Sequence, residues 1–282
     1  MKKTLSLILV CVMLLTSFSF FAVNFSAEEY ASEMPEMKKY GFITADDGAK
    51  IEYGIYGDMT KEPLVVLPCN GGEMHNLDGS VLPELAEHFM VIAVSPRGTG
   101  NSERGTCELT FEREAKDLAC MLDEMEIEKA HFFGYSDGGN LAIVFAVNYP
   151  DRVLSLIPVG ANISPWGTKI NSQIPIIVKY IRYAIEAKRT GDPEIALKRD
   201  IQKMMVTQPS LKFRDLGKIT APTLNIFADD DMMWPWHSQR ITRSIPGAVE
   251  LRVPDSGHSD ILEFKDELFT KMFEFYKGIG AM

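Results

Sequence analysis

The sequence predicts a doubly wound α/β fold built on a mainly parallel sheet of eight strands. After Tyr56, short apolar runs alternate with stretches of helical periodicity. Runs such as Leu64–Leu67 are apolar at every position, which is typical of strands buried on both faces. Helices between such strands imply right-handed crossovers and therefore parallel pairing.

The first two strands, Lys39–Thr44 and Lys50–Tyr56, are predicted to form a hairpin around the turn-forming residues Asp46-Asp47-Gly48. The remaining elements follow in alternation. Strands are expected at Leu64–Leu67, Met90–Val94, His131–Phe133, Val153–Val159, Thr223–Phe227 and Val249–Val253. Helices are expected at Val81–His88, Phe111–Met125, Asp137–Asn148, Trp236–Ser244 and Ile261–Ile279.

One segment, Ile163–Leu216, interrupts this alternation because it contains helical patterns and no strand. It predicts a helical cap, at about residues 163–216, inserted after the sixth strand. Asp192-Pro193-Glu194 supplies the start of a second cap helix. Apolar residues recur at helical spacing in the first: Ile174, Ile177, Val178, Ile181 and Ile185. We expect most of them to pack within the cap and a minority to line a substrate pocket.

The N-terminus carries an export pattern: Met1-Lys2-Lys3 is followed by the uncharged apolar run Leu5–Val23. Residues 1–27 are therefore predicted to be a signal peptide. Because no well-defined small-x-small cleavage site follows, an uncleaved membrane anchor is the alternative. Residues 28–38 are polar and acidic and predict a tether to a folded domain at 39–282. Either reading places that domain outside the cytoplasm, as a secreted, periplasmic or cell-surface protein.

The charge balance argues against nucleic-acid binding, because 39 acidic residues oppose 29 basic ones and the formal net charge is −10. The densest basic stretch, at 188–199, is interrupted by Asp192 and Glu194. No nucleic-acid partner is expected.

Outside the export segment the chain has three cysteines, Cys69, Cys107 and Cys120, which permit at most one disulfide. Whether Cys107 and Cys120 pair stays open, although the helical position of Cys120 favours a buried free thiol. No His/Cys spacing indicates a metal site, and no metal or cofactor is expected.

The pentapeptide Gly134-Tyr135-Ser136-Asp137-Gly138 lies between a predicted strand and a predicted helix, which is typical of a sharp turn presenting a nucleophilic serine. A serine hydroxyl needs a base within hydrogen-bond reach. His258 is the preferred base, because it follows the last strand at its carboxyl end. His75 is a weaker alternative; the other histidines lie in a strand or at helix ends: His88, His131 and His237.

The turn around Ser136, the loop Ser95–Ser102 after the fourth strand, and Gly257-His258 together resemble the α/β-hydrolase fold family. The resemblance covers the chain from about Lys39. The Ser-Asp-Gly-Gly form of the turn is also similar to that of valacyclovir-hydrolase-like and related small-molecule esterases. The family order implies an acid located between the serine and the histidine.

Three adjacent aspartates follow the seventh predicted strand, where an acid could reach the imidazole. The family pattern Gly-x-x-Asp, with a proline four residues after the aspartate, is similar to Ala228, Asp231 and Pro235 here. The resemblance therefore implies Asp231 as the acid, with Asp230 as the alternative.

Acyl transfer also needs donors aimed at the developing oxyanion. The backbone amide of Asp137, at the start of a helix, is expected to supply one. The resemblance implies the Asn70 amide as the second, with Gly71 as the alternative because Pro68-Cys69 replaces the family's usual His-Gly. The Asp137 side chain is expected to be solvated rather than to attract a cationic substrate.

The combined expectation is a serine hydrolase that cleaves a carboxylic ester of a small, apolar substrate through an acyl-enzyme. Arg97 is expected to tie loops together rather than to bind substrate. Alternatives are a peptidase, lactonase or carbon-carbon bond hydrolase using the same residues, or a non-catalytic ligand-binding protein. The substrate pocket is predicted to include Gly71, Tyr135, Trp166, Met205, Met232 and Trp234.

Overall fold

A single eight-stranded sheet organises the protein, whose computed structural model describes residues 34–282. The predicted export segment and residues 28–33 of the predicted tether lie outside the described residues. The strands are β1 Met37–Thr44, β2 Lys50–Tyr56, β3 Pro63–Leu67, β4 Met90–Val94, β5 Ala130–Tyr135, β6 Val153–Val159, β7 Leu224–Asp230 and β8 Val249–Gly257. The first strand thus begins at Met37, two residues before its predicted start at Lys39.

The strand order across the sheet is β1-β2-β4-β3-β5-β6-β7-β8. β1 pairs with β2, and β2 with β4, in antiparallel orientation. All remaining neighbours, from β4 through β8, are parallel. The predicted mainly parallel eight-stranded sheet is therefore confirmed, and its parallel strands share one carboxyl edge.

Helices cover both faces of this sheet, as the buried apolar strands require. They are α1 Leu82–Ala86, α2 Phe111–Glu124, α3 Asp137–Asn148, α4 Ile170–Thr190, α5 Pro193–Thr207, α6 Pro235–Ser244 and α7 Lys265–Gly278. Residues of α2, α3 and α6 share one apolar core with the sheet. Residues of α1 and α7 share a second core. The sheet therefore separates two hydrophobic layers.

The C-terminal helix is shorter than predicted. The sequence favoured one helix over Ile261–Ile279, whereas a 3-10 turn at Ile261–Glu263 precedes α7. Phe264 separates the two with φ −78° and ψ 52°, outside the helical region. This break allows Ile261 and Leu262 to be buried ahead of the helix.

The predicted helical cap lies between β6 and β7 and contains α4 and α5. Gly191, with φ +68°, ends α4 in the left-handed conformation. The Asp192 side chain then caps α5 by accepting from the Glu194 amide at 2.8 Å.

The two cap helices bury different amounts of their surface. In α5, Met204 is buried, and Leu197 and Ile201 pack against the main core. In α4 only Ala187 is buried. The expectation that the apolar residues of the first cap helix pack inside the cap is therefore wrong for Ile174, Val178, Ile181 and Ile185, which are exposed.

Arg97 is buried and joins three parts of the chain. Its guanidinium donates to Asp47 in the β1–β2 turn at 2.7 and 2.9 Å, and to Asp117 of α2 at 2.8 Å. Asp117 also accepts from Arg113 at 2.6 Å. Because every charge in this network has a partner, its burial is compatible with a stable fold.

Two further observations concern the described residues. Cys69, Cys107 and Cys120 are all free thiols, so no disulfide forms among them. Within residues 34–282, none of the helices combines the length and apolarity needed to cross a membrane.

Replacing Arg97 by Gln should lower the free energy of unfolding by about 3–5 kcal/mol, because it leaves a buried carboxylate without its main partner. Urea denaturation would measure the change. Lys271→Gln, which removes a surface pair with Glu274, should leave stability nearly unchanged. Equal effects of the two substitutions would contradict a structural role for the buried network.

Candidate active site

Ser136 lies at the turn between β5 and α3 with φ +57° and ψ −118°. A residue with a side chain rarely adopts this conformation, which costs on the order of 1–3 kcal/mol. The turn is held by the Ser136 amide, which donates to the Val159 carbonyl at 2.8 Å. A Cβ on Gly138 would collide with the Leu67 carbonyl oxygen, so only glycine lets α3 approach β3 this closely.

The structure brings the predicted base against this serine. His258 directly follows β8, and its Nε2 lies 2.9 Å from Ser136 Oγ. On the other side of the ring, Nδ1 lies 2.8 Å from Asp231 Oδ1. With Asp231 ionised, Nδ1 carries the proton and Nε2 accepts from the serine hydroxyl. Three residues that are distant in sequence thus form one relay of hydrogen bonds.

Two neighbours fix the position of His258. The Tyr135 hydroxyl donates to the His258 carbonyl at 2.6 Å, and the two rings stack with centroids 5.5 Å apart. Gly160, with φ +59°, lies beneath the imidazole, where a Cβ would come within 2.9 Å of His258 Cε1. Tyr135 therefore orients the imidazole, a role that its predicted place in the pocket did not anticipate.

Asp231 is buried and accepts from two backbone amides, those of Ala228 and Met233, each at 3.3 Å. Burial alone would raise its pKa, but the hydrogen bond and charge of His258, with the two amides, lower the pKa overall. Asp231 is thus held ionised. The alternative acid, Asp230, points elsewhere, because it is exposed and pairs with Lys169 at 2.8 Å.

The two predicted oxyanion residues are joined by their side chains. Asn70 Nδ2 donates to Asp137 Oδ2 at 2.8 Å, which ties the loop after β3 to the first residue of α3. Asn70 Nδ2 also reaches the Ile201 carbonyl of the cap at 3.3 Å. Gly71, the alternative donor, is exposed in the left-handed conformation, with φ +69°.

The expectation of a solvated Asp137 carboxylate is wrong, because this side chain is buried. Besides Asn70, it accepts from Asn140 Nδ2 at 2.9 Å. Burial raises the pKa of Asp137 to about 6, even though Asn70, the charge of His258 and Asn140 act to lower it. This burial follows from the close packing of α3, whose residues are buried from Asp137 to Val147.

A cavity opens beside Asn70 and Asp137. Its walls come from the loops after β3 and β4, from α2 and α3, and from the cap helix α5: Pro68, Cys69, Asn70, Gly71, Pro96, Arg97, Thr99, Phe111, Glu114, Asp137, Gly138, Leu141, Ile201 and Met204. Gly71 is the predicted pocket residue that lines this cavity. The five other predicted pocket residues do not line it: Tyr135, Trp166, Met205, Met232 and Trp234.

The reason is geometric. Trp166 is 88% exposed, and Met204 faces the cavity instead of Met205 because successive helical residues point about 100° apart.

Glu114 was missed by the sequence reasoning. It lines the cavity and is buried, and burial, with the negative charges of Asp117 and Asp137, raises its pKa well above the usual range. One signal could have found it. Glu114 lies three residues after Phe111 and four before Leu118, which puts an acid on the apolar face of α2.

Among the described residues, no group of three or more His, Cys, Asp or Glu side chains could hold a metal ion. The side chains of Ser136, His258 and Asp231 can supply nucleophilic and acid-base chemistry at this site.

Comparison with known proteins agrees with this architecture. The sequence profile described as "alpha/beta hydrolase fold" matches residues 62–206. Human serine hydrolase BPHL is 25% identical over 251 residues, covering 82% of this chain and 84% of that protein. The putative carbamate hydrolase RutD of Caulobacter sp. (strain K31) is 30% identical over 255 residues, covering 80% of this chain and 94% of that protein.

Among solved structures, that of carboxylesterase CesB (YbfK) from Bacillus subtilis superposes with a TM-score of 0.70. It is 18% identical and covers 89% of this chain and 95% of that chain, a likeness that shows the fold alone. The family profile spans just over half of the present sequence. The chain therefore belongs to the α/β-hydrolase fold family.

Proposed function

We propose that this hydrolase uses Ser136 as its nucleophile and cleaves a carboxylic ester of a small, apolar substrate through an acyl-enzyme. The observation that carries the proposal is the relay in which His258 lies 2.9 Å from Ser136 Oγ and 2.8 Å from Asp231. The strained turn that presents the serine supports it further. The relatives named serine hydrolase and carbamate hydrolase are consistent with chemistry at a carbonyl carbon.

The reaction begins when Ser136 Oγ attacks the ester carbonyl and His258 Nε2 accepts its proton. Asp231 stabilises the imidazolium that forms. The tetrahedral oxyanion receives hydrogen bonds from the backbone amides of Asn70 and Asp137, each worth on the order of 100- to 1000-fold in rate. The intermediate collapses as His258 returns the proton to the leaving alcohol.

Water then repeats these steps. His258 removes a proton from water as the water attacks the acyl-enzyme, and Ser136 leaves with that proton restored. The products are a carboxylic acid and an alcohol, and no cofactor takes part in either half of the cycle. We assign the cavity beside Asn70 to substrate binding, because Phe111, Leu141 and Met204 give it an apolar wall.

We also propose that the enzyme works outside the cytoplasm, on the strength of the basic start and the apolar run Leu5–Val23. Fractionation of cells expressing the full chain, with N-terminal sequencing of the product, tests this. A mature chain beginning near residue 28 would indicate cleavage, and an intact membrane-bound chain would indicate an anchor. Recovery of the intact chain in the soluble cytoplasmic fraction would contradict export.

A fluorophosphonate probe should label the wild-type chain at Ser136, because the relay activates that hydroxyl. Ser136→Ala should not label. In His258→Ala, the rates of labelling and of ester hydrolysis should both fall by on the order of 10⁴-fold or more. Ser210→Ala, at an exposed serine outside the site, serves as the matched control and should label normally. Unchanged labelling of His258→Ala would contradict the proposed mechanism.

Chromogenic esters of increasing acyl length should be hydrolysed best when the acyl group is small and apolar, because the cavity walls are apolar on one side. Values of kcat/KM across the series, with aminoacyl esters, lactones and a peptide anilide alongside, measure the preference. A higher kcat/KM for lactones or for the anilide than for every ester would replace the ester assignment with the corresponding alternative.

The stability of the wild type should depend on the titration of Asp137. Its pKa is raised from 3.8 to about 6, so the native state binds the proton more tightly than the unfolded state. This group therefore adds stability as the pH falls, by about 1 kcal/mol between pH 8 and pH 5. Asp137→Asn lacks that contribution, and urea denaturation of both proteins at the two pH values isolates it. The same pH dependence in both proteins would contradict a raised pKa.

A further inference from the structure

The outer face of the cap helix α4 carries an apolar stripe. Ile170, Ile174, Val178, Ile181 and Ile185 are each between 44% and 67% exposed. At about 100° per residue, their spacing places all five within an arc of about 80° on the helix surface. In the described part of the chain nothing covers this stripe, although surface helices normally turn such a face toward a core.

All three tryptophans of the chain lie at the N-terminal end of this stripe. Trp166, Trp234 and Trp236 are 88%, 37% and 51% exposed. The segments that carry them meet there, because the Trp234 amide donates to the Gly167 carbonyl at 2.8 Å. Tryptophan is highly buried on average, and its exposed use is concentrated at protein and membrane interfaces. The stripe and the three tryptophans together are termed the cap face.

The charge of α4 is opposite to that of the whole chain. The helix has four basic residues and one acid, Glu186, whereas the protein carries a formal charge of −10. The basic residues, all of them exposed, are Lys179, Arg182, Lys188 and Arg189. An amphipathic helix with an apolar stripe, exposed basic residues and aromatic residues at one end is typical of a segment that lies in the plane of a lipid interface.

We propose that the cap face docks onto the surface of an anionic lipid bilayer. The charges select this occupant over a second copy of the chain, because pairing two such helices would bring basic residues toward basic residues. Anionic headgroups instead attract each lysine or arginine near the surface. The predicted export or anchor segment would bring the folded domain to a membrane in the first place.

Docking has a consequence for the site, although the proposal does not depend on catalysis. Trp166 follows β6 and Trp234 follows β7, so both lie at the carboxyl edge of the sheet. Ser136 and His258 follow β5 and β8 at this same edge. The edge that holds the active site therefore also carries the cap face, which suits an enzyme that takes apolar molecules from a membrane.

Tryptophan fluorescence of the full chain tests this directly, because residues 1–33 contain no tryptophan and the signal reports only the cap face. Vesicles of phosphatidylcholine and phosphatidylglycerol with brominated acyl chains should quench the wild-type fluorescence. The double variant Ile174→Ser/Ile181→Ser should lose quenching at lipid concentrations that saturate it for wild type. Because two apolar side chains are no longer buried in the lipid, the affinity of the variant for vesicles should fall by on the order of 100-fold.

The matched control is Met59→Ser/Val249→Ser, which removes two equally exposed apolar side chains from other parts of the surface and should be quenched like wild type. Lys179→Gln/Arg182→Gln should need more lipid, and pure phosphatidylcholine should quench weakly. Circular dichroism establishes that each variant is folded.

Four results would overturn the proposal. Wild-type fluorescence could be unaffected by the brominated vesicles, or quenched equally in the stripe variant. Quenching could be independent of phosphatidylglycerol. Finally, sedimentation without lipid could show that the wild type is a dimer and that Ile174→Ser/Ile181→Ser is a monomer. That result would assign the cap face to a second copy of the chain.

Discussion

The close packing of α3 against β3 is the constraint on which the active site depends. Gly138 brings the helix against the Leu67 carbonyl, and the chain enters that helix from β5 through a turn with positive φ at Ser136. The unfavourable backbone is held because α3 is buried along eleven residues from Asp137 to Val147. The apolar core therefore stabilises the conformation that lifts the hydroxyl toward His258.

A network of buried asparagine side chains surrounds Asp137 and joins neighbouring segments of the chain. Asn140 donates to Asp137 and also to Asn162 at 3.0 Å, while the Asn162 amide donates back to Asn140 at 2.7 Å. Asn70 completes the set and connects it to Ile201 of the cap. Because each buried polar group here has a partner, the network can fix the loop after β3, the turn at Ser136 and the cap relative to one another.

The cap has two faces with different physical tasks. Ile201 and Met204 of α5 face inward and line the cavity beside the turn at Ser136. The outer face of α4 leaves apolar and basic side chains in water. An exposed apolar surface of this kind has a free-energy cost in water that a lipid interface would relieve. The cap thus closes the cavity with α5 and presents an exposed apolar and basic surface with α4.

By itself, the sequence determined the alternation of strands and helices, the inserted cap, and Ser136 and His258 as candidates. These features depend on periodicity and turn chemistry, which act within a few residues. The choice of Asp231 over Asp230 also required the family resemblance, because both aspartates follow the same predicted strand. The structure separates them: the backbone after β7 turns Asp231 inward to His258 and leaves Asp230 outside with Lys169.

Only the tertiary structure decided which faces are buried. Asp137 was expected to be solvated and Glu114 was not singled out, yet packing encloses both. Trp166 was expected in the pocket and Ile185 in the cap, and both lie exposed. The physical reason is that a helical pattern records which residues share a face. Whether that face meets a core, a cavity or water is set by elements far away in the chain.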